Sequence, residues 1–388
     1  MKKKLKDVIS KEFKGLWGTD FSDDGIPVIK TNNMTYEGRI DFSDICIRNI
    51  PYKEAENNFL KKGDLIIEKS GGTKTHSVGY VNIFEGEDDK YVCNNFILPL
   101  RPNTELVFPK YLFWQLHGMY EAGRFSDCYN KTTGIQNLQK KTYFSKDINL
   151  PSKEEQIKIA AELDTIQSAI DNKKQQLALL DEAVKSEFVE MFGELDLSPQ
   201  RTDWTELKNI TTIFTGTTPS TTDKENWNGD VLWITPAEMT SDSFYIYDTE
   251  RKITSKGQKS KSLSLMPVNT VLLSTRAPIG KVGIAGTQMT CNQGFKNFYC
   301  KEDVLNPIYL YFLFKSNTDY LNSKGTGTTF KELSKSAAEK IKVPVPSLEL
   351  QNKFAAFVQQ IDKSKFVVKQ QIADLQELLD SKMQEYFS

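Results

Sequence analysis

No stretch of 18 apolar residues occurs anywhere in the 388-residue chain, which excludes a membrane-spanning helix. Histidine is nearly absent. His76 and His117 are too few for most metal sites or histidine-based catalysis. The five cysteines (Cys46, Cys93, Cys128, Cys291 and Cys300) are odd in number and form no CxxC pair. That argues against a structural zinc and for reduced thiols in a cytoplasm. No glycine-rich cofactor turn follows a leading strand, no Walker A is present, and no nuclease-like cluster of acids and lysine stands out. Three absent chemistries point to a non-catalytic chain. The opening Met1-Lys2-Lys3-Lys4-Leu5-Lys6 is basic, but no apolar stretch follows it, so it does not read as a secretory signal.

A charge excess of one sign is also missing. Lysine and arginine number 50 against 51 acidic residues, a formal net charge of −1. The balance is uneven along the chain. Residues 1–150 carry 22 basic and 20 acidic side chains, and residues 201–345 carry 18 and 14. Residues 151–200 carry 5 and 11, and residues 346–388 carry 5 and 6. Two mildly basic stretches alternate with two acidic ones. Mild basicity is weak evidence for phosphate binding, because clustering on one face matters more than the sum.

What the chain does contain is a long repeat. Leu150-Pro151-Ser152-Lys153-Glu154-Glu155-Gln156 returns as Val345-Pro346-Ser347-Leu348-Glu349-Leu350-Gln351. In each copy Pro-Ser stops a strand-like run, Ser is placed to cap a helix, and acidic residues occupy the first turn. A regular apolar pattern follows. It runs through Leu163, Ile166, Ile170, Leu177, Leu180 and Val184, then again through Val358, Ile361, Val368, Ile372, Leu375 and Leu379. A mean step of 3.5 residues is a coiled-coil seam. Each pattern predicts a helix of roughly 40 residues, about 60 Å long. The in-register match predicts that the two seams face each other with the helices antiparallel.

The stretches before each helix read as mixed α/β with many short strands, and they correspond. Ile26-Pro27-Val28-Ile29-Lys30-Thr31-Asn32-Asn33-Met34 is answered by the run from Asp230 to Met239. The run from Lys62 to Ser70 is answered by that from Val268 to Arg276, each a turn, a buried strand and a polar tip. Cys93-Asn94-Asn95-Phe96 is answered by Cys291-Asn292-Gln293-Gly294-Phe295. Pro109 and Pro307 each open a short helix. Glycine- and threonine-rich loops follow, Asn130-Lys131-Thr132-Thr133-Gly134-Ile135 and Lys324-Gly325-Thr326-Gly327-Thr328-Thr329-Phe330. The expected fold class is therefore α+β: two similar mixed α/β domains separated by two long antiparallel coiled-coil helices, an internal pseudo-twofold repeat. The expected boundaries are 1–150, first domain; 151–195, first spacer helix; 196–345, second domain; and 346–388, second spacer helix.

This order of phrases, used twice, resembles the specificity subunit of Type I restriction–modification systems, and the similarity covers essentially the whole chain. The first module departs in its opening. Lys14-Gly15-Leu16-Trp17-Gly18-Thr19 lacks the Thr-Pro-Ser of Gly216-Thr217-Thr218-Pro219-Ser220. The resemblance implies two target recognition domains, each reading one half of a bipartite site on double-stranded DNA. It implies helices that set the spacing and dock two methyltransferase subunits, with restriction subunits joining through that complex. It implies no catalysis and no cofactor bound by this chain. S-adenosylmethionine, ATP and Mg belong, on this reading, to the partner subunits of a cytoplasmic adenine-N6 methyltransferase and restriction endonuclease complex. The alternative is a coiled-coil adaptor without sequence-selective DNA binding.

The loops supply residue types suited to base edges and phosphates. Candidates in the first domain are Lys30, Thr31, Asn32, Lys69, Ser70, Lys74, Thr75, His76, Lys131 and Thr132. In the second they are Thr217, Thr218, Lys224, Trp227, Ser274, Arg276, Lys281, Lys324, Thr326, Thr328 and Lys331. Arg276, ending a strand, is the best placed for a guanine-reading fork. Gly71-Gly72-Thr73-Lys74-Thr75 lacks the GxxxxGK[ST] spacing and is expected to be a DNA-contacting loop. Asn306-Pro307-Ile308-Tyr309 is expected to be a helix start and not a methyltransferase motif. Cys93 and Cys291 are expected to be buried structural residues.

Overall fold

Two helices of 40 residues, Lys153–Phe192 and Leu348–Phe387, follow the two Pro-Ser pairs in the computed structural model of the chain. The structure describes residues 1–73, 75–132, 135–239, 244–276, 278–326 and 331–387, excluding the side chains of 20–23 and 131–132. Ser152 Oγ accepts from the Glu155 N–H at 3.2 Å, and Ser347 Oγ accepts from the Leu350 N–H at 3.3 Å. Each serine thus satisfies a free amide of the first helical turn. Among the described residues no helix is long and apolar enough to cross a membrane.

The chain forms two compact units, Met1–Gln175 with Lys369–Ser388, and Gln176–Val368. In the first unit an antiparallel sheet has the order Ile9–Glu12, Ile97–Pro102, Leu65–Glu68, Val81–Ile83. Helix Pro109–Glu121 covers it, burying Tyr111, Leu112, Trp114 and Leu116. Strand Thr19–Ile29 pairs with Cys46–Asn49 and runs parallel to Val92–Cys93. The start of the first long helix joins this core through Ile159, Leu163, Ile166 and Ile170. The end of the second long helix joins it through Leu379 and Phe387. The helices meet directly here: Lys382 lies 3.2 Å from Glu162, and the Tyr386 hydroxyl donates to the same carboxylate at 2.7 Å.

The second unit repeats the plan. Its sheet has the order Thr211–Thr215, Phe295–Cys300, Val271–Ser274, Val282–Ala285, Tyr245–Ile246. Helix Pro307–Ser316 packs on it, and strand Trp227–Ile234 pairs with Lys252–Ile253 and Thr290–Cys291. The far half of the first long helix and the near half of the second meet through Val184, Phe188, Phe354 and Val358. Lys365 reaches Asp181 at 2.6 Å. In the second unit Asp181 meets Lys365 and Phe188 meets Phe354, so the partner number falls as the other rises and the helices run antiparallel there. Seam residues of both helices share a core in each unit: Leu163, Ile166 and Ile170 with Leu379 in the first, and Val184 with Val358 in the second. In addition, the same apolar stripes are continuous with the α/β cores, so each helix also packs on its own domain.

The repeat extends to single atoms. Gln156 and Gln351 are buried. Gln156 Oε1 accepts from the Phe108 N–H at 2.8 Å, and its Nε2 donates to the Pro151 carbonyl at 3.1 Å. Gln351 Oε1 accepts from the Asn306 N–H at 2.8 Å, and its Nε2 donates to the Pro346 carbonyl at 2.8 Å. The Tyr111 and Tyr309 hydroxyls donate to the Asn149 and Pro344 carbonyls, each at 3.0 Å. Asn306 caps its helix by accepting from the Ile308 N–H at 2.9 Å, a structural role for that motif. Gly15 and Gly216 occupy equivalent crossings. A Cβ on Gly15 would lie 2.3 Å from the Asn94 carbonyl oxygen, and one on Gly216 would lie 1.9 Å from that of Cys291. Only glycine permits such an approach. Cys93 and Cys291 are buried beneath these crossings, and burial pushes both thiols up, that of Cys291 to about 12.

Candidate nucleic-acid interface

The central strand of each sheet ends in a polar tip that a returning loop bridges. In the first unit strand Leu65–Glu68 continues to Ser70–Gly71, which pairs with Ile135–Leu138. Ile135–Leu138 in turn pairs with Tyr129–Thr132 as a hairpin. The register sets Ser70 opposite Asn137, and the Ser70 hydroxyl donates to Asn137 Oδ1 at 2.7 Å. In the second unit strand Val271–Ser274 leads to Arg276, which bridges Glu332, and Glu332 bridges Thr326. Arg276 Nη2 donates to Glu332 Oε2 at 2.8 Å. Ser70 and Arg276 stand at the same step beyond matching strands, so one backbone frame carries two different side-chain pairs.

Beside the first bridge, Gly72 N–H donates to Glu68 Oε1 at 3.1 Å. Burial raises the Glu68 carboxyl. Burial and the nearby Lys140 lower the Lys69 ammonium, with Glu12 opposing. Thr73 and Thr75 hydroxyls meet at 3.1 Å, and Val78 N–H donates to Gln136 Oε1 at 3.1 Å, closing the loop on the hairpin. Beside the second bridge, Lys296 is buried and lies 3.6 Å from Glu332. Burial lowers the Lys296 ammonium, while the Arg276 guanidinium holds the Glu332 carboxyl below its ordinary value.

The proposed readers separate into groups. Lys69 and Ser70 stand at the first tip with Thr75 in the loop that follows, and Arg276 and Thr326 meet at the second through Glu332; Lys331 precedes Glu332 in the chain, and the Lys324 ammonium lies 5.0 Å over the Tyr320 ring. Lys74 and Thr328 lie outside the described residues, as do the side chains of Lys131 and Thr132. Lys30, Thr31 and Asn32 sit at a separate turn, where the Lys30 N–H donates to Asn33 Oδ1 at 2.9 Å and the Lys30 ammonium pairs with Asp44 at 3.4 Å. His76 stacks on Tyr36 with ring centroids 3.7 Å apart and lines a groove of about 760 Å³ with His117, Lys174 and Asp380. It therefore faces the long helices of its unit as well as the loop.

Two candidates prove to be framework. Ser274 is fully buried: its hydroxyl donates to the Pro278 carbonyl at 2.8 Å and accepts from the Lys281 N–H at 2.9 Å. The Lys281 ammonium donates to the Pro236 and Met239 carbonyls at 3.0 and 3.2 Å. Both shape the loop after the strand and are withdrawn as base contacts. Thr217, Thr218, Lys224 and Trp227 form another surface. There Thr218 donates to Gln293 at 2.7 Å, and the Arg251 guanidinium lies 3.8 Å over the Trp227 ring. Sequence reasoning missed Asn137, Glu332, Lys296 and Arg251. Glu332 directly follows a chosen lysine, but a search for donors and cations passes over a carboxylate.

Comparison with known proteins accounts for both units. The family described as Type I restriction modification DNA specificity domain matches residues 1–182 and 201–377. The Type I restriction enzyme MjaIX specificity subunit of Methanocaldococcus jannaschii is 41% identical over 184 residues, covering 46% of this chain and 42% of that one. The chain thus spans less than half of that relative. The putative type I restriction enzyme MjaX specificity subunit of the same organism is 25% identical over 380 residues, 93% of this chain and 86% of that one. The crystal structure of a Type-I restriction-modification system S subunit from M. genitalium superposes with a TM-score of 0.60 at 16% identity, covering 100% of this chain and 96% of that one. At that identity the likeness is one of fold.

Proposed function

This chain belongs to the Type I restriction modification DNA specificity domain family, and on that premise we propose that it is the specificity subunit of a Type I restriction–modification complex. Each unit reads one half of a bipartite site on double-stranded DNA, and the long helices set the gap between the halves. The observation that carries the reading is the matched strand tip. Matching strand ends present Ser70 with Asn137 in one unit and Arg276 with Glu332 in the other. A shared scaffold with exchanged polar tips is what two readers of different sequences require.

The helices also bear apolar side chains turned outward: Ile157 and Leu378 in the first unit, Leu179, Phe366 and Val367 in the second. We take these exposed apolar side chains, Phe366 beside Val367 above all, as the place where a partner docks. We assign one methyltransferase subunit to the helices of each unit, with restriction subunits joining through them. Methyl transfer to adenine N6, and the S-adenosylmethionine, ATP and Mg it and DNA cleavage require, belong to those partners in the cytoplasm. The test is to map modified adenines in cells carrying the partner subunits with and without this chain. A two-part motif that depends on the chain is expected. Methylation without such a motif would overturn the reading, and selective binding of partner proteins alone would favour an adaptor.

A further inference from the structure

The bridged pairs differ in charge, and the residue beneath them differs to match. Strand register sets Lys296 of the second unit opposite Leu273, and Leu98 of the first unit opposite Ile67. Lys296 and Leu98 are therefore equivalent, and both are buried. The second unit sets a buried ammonium 3.6 Å from Glu332, and at the equivalent strand position the first unit, whose bridge carries the neutral Asn137, buries an apolar side chain. Glu332 is thereby held between two cations, Arg276 at 2.8 Å and Lys296 at 3.6 Å. The carboxylate's acceptor capacity is turned toward protein cations. Among the described residues Arg276 spends one of its five N–H donors on a side chain, that of Glu332, which leaves a fork able to reach a planar acceptor pair. In the first unit the Ser70 hydroxyl fixes the direction of the Asn137 amide by donating to Oδ1. Among the described residues the second Oδ1 lone pair and both Nδ2 hydrogens remain, and Asn137 is exposed.

Resting on the specificity reading above, we propose that this bridge is a base-reading position in both units. Asn137 reads an A·T pair in one half-site, and Arg276 reads a G·C pair in the other. The amide matches adenine N7 and N6, and the guanidinium matches guanine N7 and O6 in the major groove. Ser70 and Glu332 are positioning residues that hold the two readers in register.

The test uses the chain assembled with its methyltransferase subunits and maps the methylated motif for the wild type and single variants. Asn137→Ala relaxes one A·T position in one half-site, and Arg276→Ala relaxes one G·C position in the other. Discrimination at that base pair falls roughly 5- to 150-fold in each case. Glu332→Ala relaxes the same base pair as Arg276→Ala, and Glu332→Gln, which keeps an acceptor for Arg276, restores most of it. Asn137 and Arg276 are exposed, so their variants keep the core intact; Glu332→Ala also leaves the buried Lys296 ammonium without its carboxylate, so its fold is checked by circular dichroism before its motif is mapped. The inference is overturned if the variants leave every base of the motif as strict as before. It is equally overturned if both relax the same half-site, or if the relaxed base pairs are of the opposite kind. A wild-type complex lacking a two-part motif would instead remove the specificity reading itself, and this inference with it.

Discussion

Arg276 and Glu332 are joined at 2.8 Å across a single antiparallel bridge, 56 residues apart in the chain. The contact holds the Glu332 carboxyl below its ordinary value, with Lys296 adding to the effect and burial opposing it. A lowered carboxyl contributes stability above its unfolded value, and that contribution is lost as pH falls through the lowered folded value. Arg276→Ala should move the Glu332 titration midpoint up toward the ordinary range, followed by carboxyl NMR. An unchanged midpoint would mean that the guanidinium does not set the carboxylate's charge state in solution.

The buried Gln156 and Gln351 each close three backbone contacts at the join between α/β domain and long helix. Truncation leaves those groups without partners, so Gln156→Ala and Gln351→Ala should each destabilise by about 2–4 kcal/mol. Urea denaturation checks it. Because the two sites share one geometry, the two losses should be alike. Substitutions that left the midpoint unmoved would mean that water replaces the amide at no cost.

The helices and the repeat were legible in the sequence because their signals are local. A 3.5-residue apolar step and a Pro-Ser pair need only neighbouring residues to be read. The double duty of Leu163 and Ile170 was not legible, since one apolar stripe gives no sign that it serves both a helix seam and a sheet-covering core. The site was partly legible. Arg276 and Ser70 stood out as polar tips of apolar strands. Their partners Glu332 and Asn137 did not, because contacts spanning 56 and 67 residues leave no local trace. Ser274 misled for a related reason: a serine at a strand end looks exposed until the following loop folds back and hydrogen-bonds to it.

That correction has its own consequence. Ser274→Ala should cost about 1–3 kcal/mol, because the Lys281 N–H and Pro278 carbonyl lose a buried partner. The methylated motif should remain that of the wild type. Thermal denaturation and motif mapping of the same variant decide between a framework and a reading role. A relaxed base position with unchanged stability would return Ser274 to the readers.

Phe366 is 71% exposed on the second long helix, and Val367 beside it is 53% exposed. Replacing Phe366 with Asp should change the stability of the isolated chain by no more than about 0.5 kcal/mol. It should nevertheless remove one methyltransferase subunit from the complex, which native mass spectrometry would register as a fall from two to one. Retention of both subunits would place the docking surface elsewhere on the helices.

The helices pass from one compact unit to the other at Gln175–Gln176 and at Val368–Lys369. Length added at these points falls between the two cores. Duplicating Ala169–Gln175 in the first helix and Asp362–Val368 in the second inserts one heptad into each. A heptad preserves the 3.5-residue seam, so Leu163 and Leu379 in one unit, and Phe188 and Phe354 in the other, keep their partners. Seven residues add about 10 Å of rise. One base pair occupies about 3.4 Å of duplex, so the gap between half-sites should lengthen by about one to three base pairs. Each added base pair also turns one half-site around the duplex, since a helical turn takes about 10 base pairs. Methylation should therefore slow even on the lengthened site. The strand tips at Ser70 and Arg276 are untouched, so the half-site bases should stay as they were. Methylome sequencing of cells carrying the double insertion separates the two effects. Altered half-site bases with an unaltered gap would show that the helices take part in reading and do not set the distance.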